Sequence, residues 1–199
     1  MISLGDDKRK RNQMNIVDRA LPDRKSKKEV SLSAFSFLFS ELVQYTHRRV
    51  THIKELERRL ADVGYSVGLR LLEYISWKEK VQKRETRVVR FLQFIVSTVW
   101  KMLFGKTATL EKSVDKKEQY MITEDTTLIN TFISVPKDMQ GLNCASLVGG
   151  IVEGMLDGAD FPARVTTHSV TVEEQRFPKT VILIEFDEEV LERERQLGN

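Results

Sequence analysis

The side chains in this chain that could do chemistry are few and scattered. One cysteine, Cys144, and three histidines, His47, His52 and His168, are all the thiol and imidazole groups in 199 residues. A nucleophilic cysteine needs a base and an electropositive, partly open setting, and no partner stands near Cys144 in the sequence. Leu147, Val148, Ile151 and Met155 share its helical face, so it reads as a small buried hydrophobe. His168 alternates with polar residues as a strand histidine does, and His47 and His52 sit among Arg48, Arg49 and Lys54 as on a solvated face. No spacing among them fits a zinc site. Glu55, Glu57, Asp62, Glu188, Glu189, Glu192 and Glu194 interleave with Lys or Arg as on a solvated helix surface. The phosphate-cradling, dinucleotide, nucleophile-elbow and zinc-protease motifs are all missing from the sequence. The expectation is a protein that is not an enzyme, with no catalytic residue, no metal and no cofactor.

The glycines are more informative. "LNCASLVGGIVEGMLDGADFPARVTTH", Leu142 to His168, reads as a helix followed by a strand, with Gly149, Gly150 and Gly154 inside the helix. Each helical glycine costs about 0.5–1 kcal/mol relative to alanine. Gly150 and Gly154 lie one turn apart at the edge of the apolar arc beside Leu147, with Ser146 and Glu153 marking the wet side. A membrane dimer motif shares that spacing, but this helix is too short to cross lipid. Gly150 and Gly154 are therefore expected to be packing glycines, where another backbone comes close, rather than a ligand cradle.

The positions of charge separate a tail from a domain. The net charge is +3, yet residues 1–31 alone hold nine Lys or Arg against five Asp or Glu, so the remainder is close to neutral. Residues 1–28 have too little apolar surface to offset the entropy of ordering and are expected to form a basic, disordered tail before a single domain at 29–199. A lone cysteine makes a reducing compartment the natural setting. The charged N-terminus does not look like a secretory signal, and the apolar run Val88–Phe104 is broken by Arg90, Gln93 and Lys101.

From Leu32 the periodicity becomes helical. Phe35, Leu38, Phe39, Leu42, Tyr45, Val50, Ile53, Leu56 and Leu60 fall on one side of a single long helix, with Ser31 or Ser33 as N-cap and Gly64 as its stop. Phe37 falls opposite, and aromatics on both sides point to a partner: Phe35, Phe37, Phe39 and Val43 are the candidate interface. A second helix is expected to set Val67, Leu71, Leu72, Ile75 and Trp77 inward, and a third, mostly buried, to close at Gly105. A hairpin across Lys116 and Lys117 follows, then an irregular connection through Pro136 and Gly141. The glycine-bearing helix leads into strands around "RVTTHSVTVEE" and "KTVILIEFD", with a turn at Gln175 to Pro178. The order predicts an α+β fold: long N-terminal helices packed on an antiparallel sheet, with a further helix inserted before the last two strands.

The stretch Gly64, Tyr65, Ser66, Val67, Gly68, Leu69, Arg70, Leu71, Leu72, Glu73 resembles the G-[YF]-x-x-G-x-R-L-x-E signature of the small subunits of the transport protein particle (TRAPP), a tethering and exchange-factor complex of vesicle traffic. "EVSLSAFSFLFSELVQY", "VWKMLFG" and the run Leu128 to His168 extend the likeness, which covers about Glu29 to Asp187. The resemblance implies a non-catalytic structural subunit that pairs with sibling subunits through helical faces. Subunit three, of the same fold, would lie on one side and the longin-like subunit sedlin on the other. It further implies that the assembly promotes nucleotide exchange on a Rab-type GTPase, in the cytoplasm and peripherally at ER-to-Golgi and Golgi membranes. The best-known acylated family member carries a cysteine between its second and third helices; Lys78 to Thr86 has none here, so a lipid-filled tunnel does not carry over. The alternative is a small-molecule-binding domain of the vinyl-reductase type, which shares the general fold. A nucleic-acid binder is not expected, because no aromatic platform stands near the basic clusters.

Overall fold

The computed structural model describes residues 31–79, 84–113, 119–125, 127–131, 133–135, 139, 141–170 and 178–198. The expectations for the tail at 1–28 and for the two turns at 116–117 and 175–177 fall outside them. The chain divides into two compact units, residues 1–35 and 36–199. In the first, Ser31 Oγ accepts a hydrogen bond from the Ala34 amide at 3.2 Å, as an N-cap does.

The single long helix expected from Leu32 to Gly64 is two helices, α1 (Leu32–His47) and α2 (Ile53–Lys78). The chain leaves α1 through short-range bonds, Arg49 N to Thr46 O at 3.0 Å and Val50 N to His47 O at 3.3 Å. Val50 and Thr51, both β-branched, then resist helical backbone, and His52 is extended at φ −125°, ψ 142°. Gly64, expected as a stop, lies inside the 26-residue α2. The third apolar helix is one continuous run in three parts: α3 (Val88–Phe94), a π-helical turn (Ile95–Val99) and α4 (Trp100–Phe104). Gly105 ends it, as expected, and does so in the left-handed region at φ +75°. The Val96 carbonyl in the π turn accepts from Ala108 N at 3.2 Å, tying the start of the sheet to this helix.

Four strands follow: β1 (Thr109–Lys112), β2 (Gln119–Glu124), β3 (Ala163–Val170) and β4 (Lys179–Phe186). They form one antiparallel sheet in the order β1-β2-β4-β3. Along β4, Thr180, Ile182, Ile184 and Phe186 are buried, the period-two pattern of a sheet covered on one face. Ile182 sits opposite Ile122 on one side and Thr167 on the other, which fixes the register. Between β2 and β3 come a one-turn helix, α5 (Leu128–Thr131), and α6 (Ser146–Gly158); α7 (Glu188–Leu197) closes the chain. The fold is thus the α+β architecture expected, with α6 inserted before the last two strands.

α6 is the middle layer. One side lies against α2 and the other against β3, and ten of its 13 residues are buried. A helix covered on two sides needs small residues where a backbone crosses it and leaves only a narrow edge for polar groups. Ser146, expected on the wet side, is only 8% exposed; its hydroxyl donates to the Asn143 carbonyl at 2.8 Å and meets Thr167 Oγ1 at 3.1 Å.

Candidate interaction surfaces

α1 turns a stripe spaced four and three residues apart, Phe39, Val43 and Thr46, into the protein. Phe39 is 4% exposed and Val43 9%, while Phe37 is 77% exposed. The expected interface of Phe35, Phe37, Phe39 and Val43 is thereby corrected: Phe39 and Val43 are core, and Phe35 is half-buried within the first unit. The phase of the helix is the reason, since Phe37 stands two residues, roughly 160° in rotation, behind Phe39 as helical residues step by 100°. The outward face is Phe37, Leu38 (72% exposed), Glu41 and Tyr45. Arg49 lies over the Tyr45 ring, its guanidinium carbon 3.6 Å from the centroid.

A second outward apolar face is on α2. Val63, Val67, Tyr74 and Trp77 are all exposed and, with Arg70 between them, follow one another by four, three, four and three residues. That is the step of a coiled-coil seam. Tyr74 and Trp77 lean together with ring centroids 6.3 Å apart. Val67 and Trp77 were expected to point inward. They do not, because the inward side of α2 is its glycine side, set by Gly64 and Gly68 with Leu56, Leu60 and Ile75. The four-three spacing was visible in the sequence; an outward seam looks like an inward one until the true core face is known.

The glycines of α2 and α6 meet reciprocally. A Cβ at Gly150 would overlap the carbonyl of Ala61, and one at Gly154 the carbonyl of Tyr65. In the opposite direction, a Cβ at Gly64 would strike the carbonyl of Leu147 and one at Gly68 that of Ile151. The two backbones are in contact from Ala61 to Gly68 on α2 and from Leu147 to Gly154 on α6, about two turns, which leaves no space for a ligand along that seam. Gly149, on the other side of α6, faces Thr167 Cγ2, 2.6 Å from where a Cβ would stand.

At the solvent edge of the seam lies a shallow groove of about 340 Å³ lined by Tyr65, Glu153, Asp157, Pro162, Ala163, Arg164 and Asp187. The Tyr65 hydroxyl donates to Asp157 Oδ2. That bond, with burial and the nearby carboxylates, raises the Tyr65 pKa. Burial pushes the Glu153 carboxyl up, the charges of Asp62 and Asp157 push it further, and Arg164 partly opposes them.

Nothing in these surfaces assembles a reaction centre. Cys144 is 2% exposed, and burial, with the Glu57 carboxylate, pushes its thiol up to about 11, the opposite of an activated nucleophile. Among the described residues the His168 ring meets Thr166 Oγ1 at 3.1 Å, and His47 and His52 face solvent. Among the described residues no three His, Cys, Asp or Glu side chains are grouped to hold a metal ion. Two carboxylates expected to be solvated are instead tethers. Glu57 accepts the Asn143 amide at 2.8 Å, fixing the approach to α6. Glu194 of α7 accepts the Val88 amide at 2.8 Å and pairs with Arg87 at 3.1 Å, capping α3.

Comparison with known proteins agrees with this fold. Residues 35–187 match the family profile described as Transport protein particle (TRAPP) component. The chain is 54% identical over 181 residues to Trafficking protein particle complex subunit 5 of Dictyostelium discoideum, covering 90% of this chain and 96% of that one. It is 45% identical over 188 residues to the Homo sapiens protein of the same name, covering 94% and 95%. Among solved structures, a subunit 3 from Naegleria fowleri covalently bound to palmitic acid superposes with a TM-score of 0.67 at 18% identity, over 78% of this chain and 94% of that one. The chain belongs to the TRAPP component family.

Proposed function

We propose that this chain is a structural subunit of a TRAPP-type vesicle tethering complex and works by holding sibling subunits, one on each of its two outward helical faces. The observation that carries the reading is the apolar surface left bare on α1, at Phe37, Leu38 and Tyr45, and on α2, at Val63, Val67, Tyr74 and Trp77. Contiguous exposed apolar residues of this size, rich in aromatics, are characteristic of protein docking surfaces. Support also comes from the relatives, which are named as subunits of a trafficking particle. Subunit three and a sedlin-like subunit are the proposed neighbours. The proposal extends to nucleotide exchange on a Rab-type GTPase by the whole assembly, and to a cytoplasmic location, peripheral at ER-to-Golgi and Golgi membranes. No catalytic group of this chain is assigned to the exchange. The small-molecule alternative, raised by the shared general fold, finds no support at Gly150 and Gly154, which lie against the α2 backbone.

Co-expression with each sibling tests the reading. Phe37→Asp and Trp77→Asp lie on exposed positions and are expected to leave the fold intact. The expected result is that each variant loses one sibling and keeps the other. Retention of both siblings by the double variant contradicts the reading.

A further inference from the structure

The α2 seam carries one charge within its apolar stripe. Arg70 stands between Val67 and Tyr74, exposed, and makes no ion pair or side-chain hydrogen bond among the described residues. Arg59 pairs with Glu55, Arg84 and Arg193 with Asp160, and Arg87 with Glu194; Arg70 differs from the solvated arginines elsewhere in standing inside an exposed apolar stripe. A hydrated guanidinium in open solvent is stable as it is. Under a docked apolar helix it would lose that water, and an uncompensated buried charge opposes association strongly. The residues that would seal it, Val63, Val67, Tyr74 and Trp77, lie to both sides of it along the helix.

Building on the docking reading above, we propose that the α2 seam seats an amphipathic helix of a sibling subunit that presents an Asp or Glu carboxylate over Arg70, and that this pair sets partner choice and register. The guanidinium fork matches a carboxylate with two parallel bonds, a geometry that lysine does not reproduce. Without the charge, a stripe of two valines and two aromatics would accept an apolar helix in several registers. With one charge at a fixed place, the docked helix has a single register that leaves no buried charge alone, and a helix lacking the acid is rejected.

The test measures binding of the intact chain to recombinant subunit three and to the sedlin-like subunit by titration calorimetry, using wild type, Trp77→Asp, Arg70→Glu, Arg70→Lys and Arg70→Leu. Thermal melts of each variant confirm that the fold is unchanged. Trp77→Asp is expected to abolish binding to one sibling, and Arg70→Glu to weaken that same sibling roughly 30-fold or more, as loss of a buried charge partner does. Arg70→Lys should fall between. Reversal to Arg of one acidic residue on the sibling's docking helix should restore Arg70→Glu while weakening wild type. If Arg70→Glu and Arg70→Leu bind like wild type while Trp77→Asp does not, the docking reading stands and the role given to Arg70 is overturned. If Trp77→Asp also binds both siblings like wild type, the α2 docking surface itself is wrong, and the inference falls with it.

Discussion

At the scale of single residues, Gly154 decides between close packing and mere helix propensity. Alanine is the better helix former by about 0.5–1 kcal/mol, yet its Cβ would overlap the Tyr65 carbonyl, a backbone atom of α2 that cannot swing away. Gly154→Ala is therefore expected to destabilise by about 1–3 kcal/mol and Gly154→Leu by more. Thermal melts check this, and an alanine variant that melts at or above wild type would contradict the contact. Glu153 gives a pH signature with a definite sign. Its carboxyl is held above the usual range chiefly by burial, so its ionisation works against the fold; stability linked to it is present at low pH and is lost as pH rises through the folded-state pKa. Glu153→Gln should remove that loss, narrowing the difference in melting temperature between pH 5 and pH 7 relative to wild type. An unchanged difference would show that Glu153 is not held this way. Cys144, its thiol pushed up to about 11 and its side chain enclosed, should resist alkylation at pH 8 until the protein unfolds. Its place on a core stripe was legible from Leu147, Val148, Ile151 and Met155. The division among Phe35, Phe37, Phe39 and Val43 was not, because periodicity shows which residues share a face but not whether that face meets the chain's own core or another protein.

At the scale of elements, α7 is held by charge and capping more than by burial, since Val190 is its one buried residue. Arg87 donates to the Leu197 carbonyl at 2.7 Å, Arg193 lies over the Phe161 ring at 4.9 Å, and Glu194 caps α3. Glu194→Ala should cost about 1–2 kcal/mol through the lost cap and ion pair. It should also speed amide exchange in the first turn of α3 while leaving β4 unchanged; equal protection in both proteins would show that the cap carries no weight. These tethers could not be read from sequence, because Arg87 and Glu194 are 107 positions apart and no local pattern links them. The strands could: the alternation in "KTVILIEF" is local and survives into β4. The split between α1 and α2 was missed because the apolar stripe carries on in phase across the break, outweighing the weaker signal of Val50 next to Thr51. Gly64 misled for the opposite reason. A glycine marks a helix end or a close contact, and only the presence of α6 opposite chooses between them.

At the scale of the whole molecule, α6 explains both the glycine content and the apolar surfaces. Held between α2 and β3, it uses the inward face of α2 completely, so the opposite face of that helix remains available for another protein. The same logic applies to α1, whose inward stripe is Phe39, Val43 and Thr46 and whose outward one has no cover among the described residues. A subunit built in this way carries two apolar faces in water and is expected to aggregate when purified without siblings. Hydroxyl-radical footprinting of the side chains, read by mass spectrometry on the free chain and on the chain assembled with subunit three and the sedlin-like subunit, tests the central claim most directly. The account predicts that Phe37, Leu38, Tyr45, Tyr74 and Trp77 react readily in the free chain and become protected severalfold in the assembly, while buried Phe39 and Trp100 stay unreactive in both. Phe37, Tyr74 and Trp77 reacting equally in the free and assembled states would contradict it.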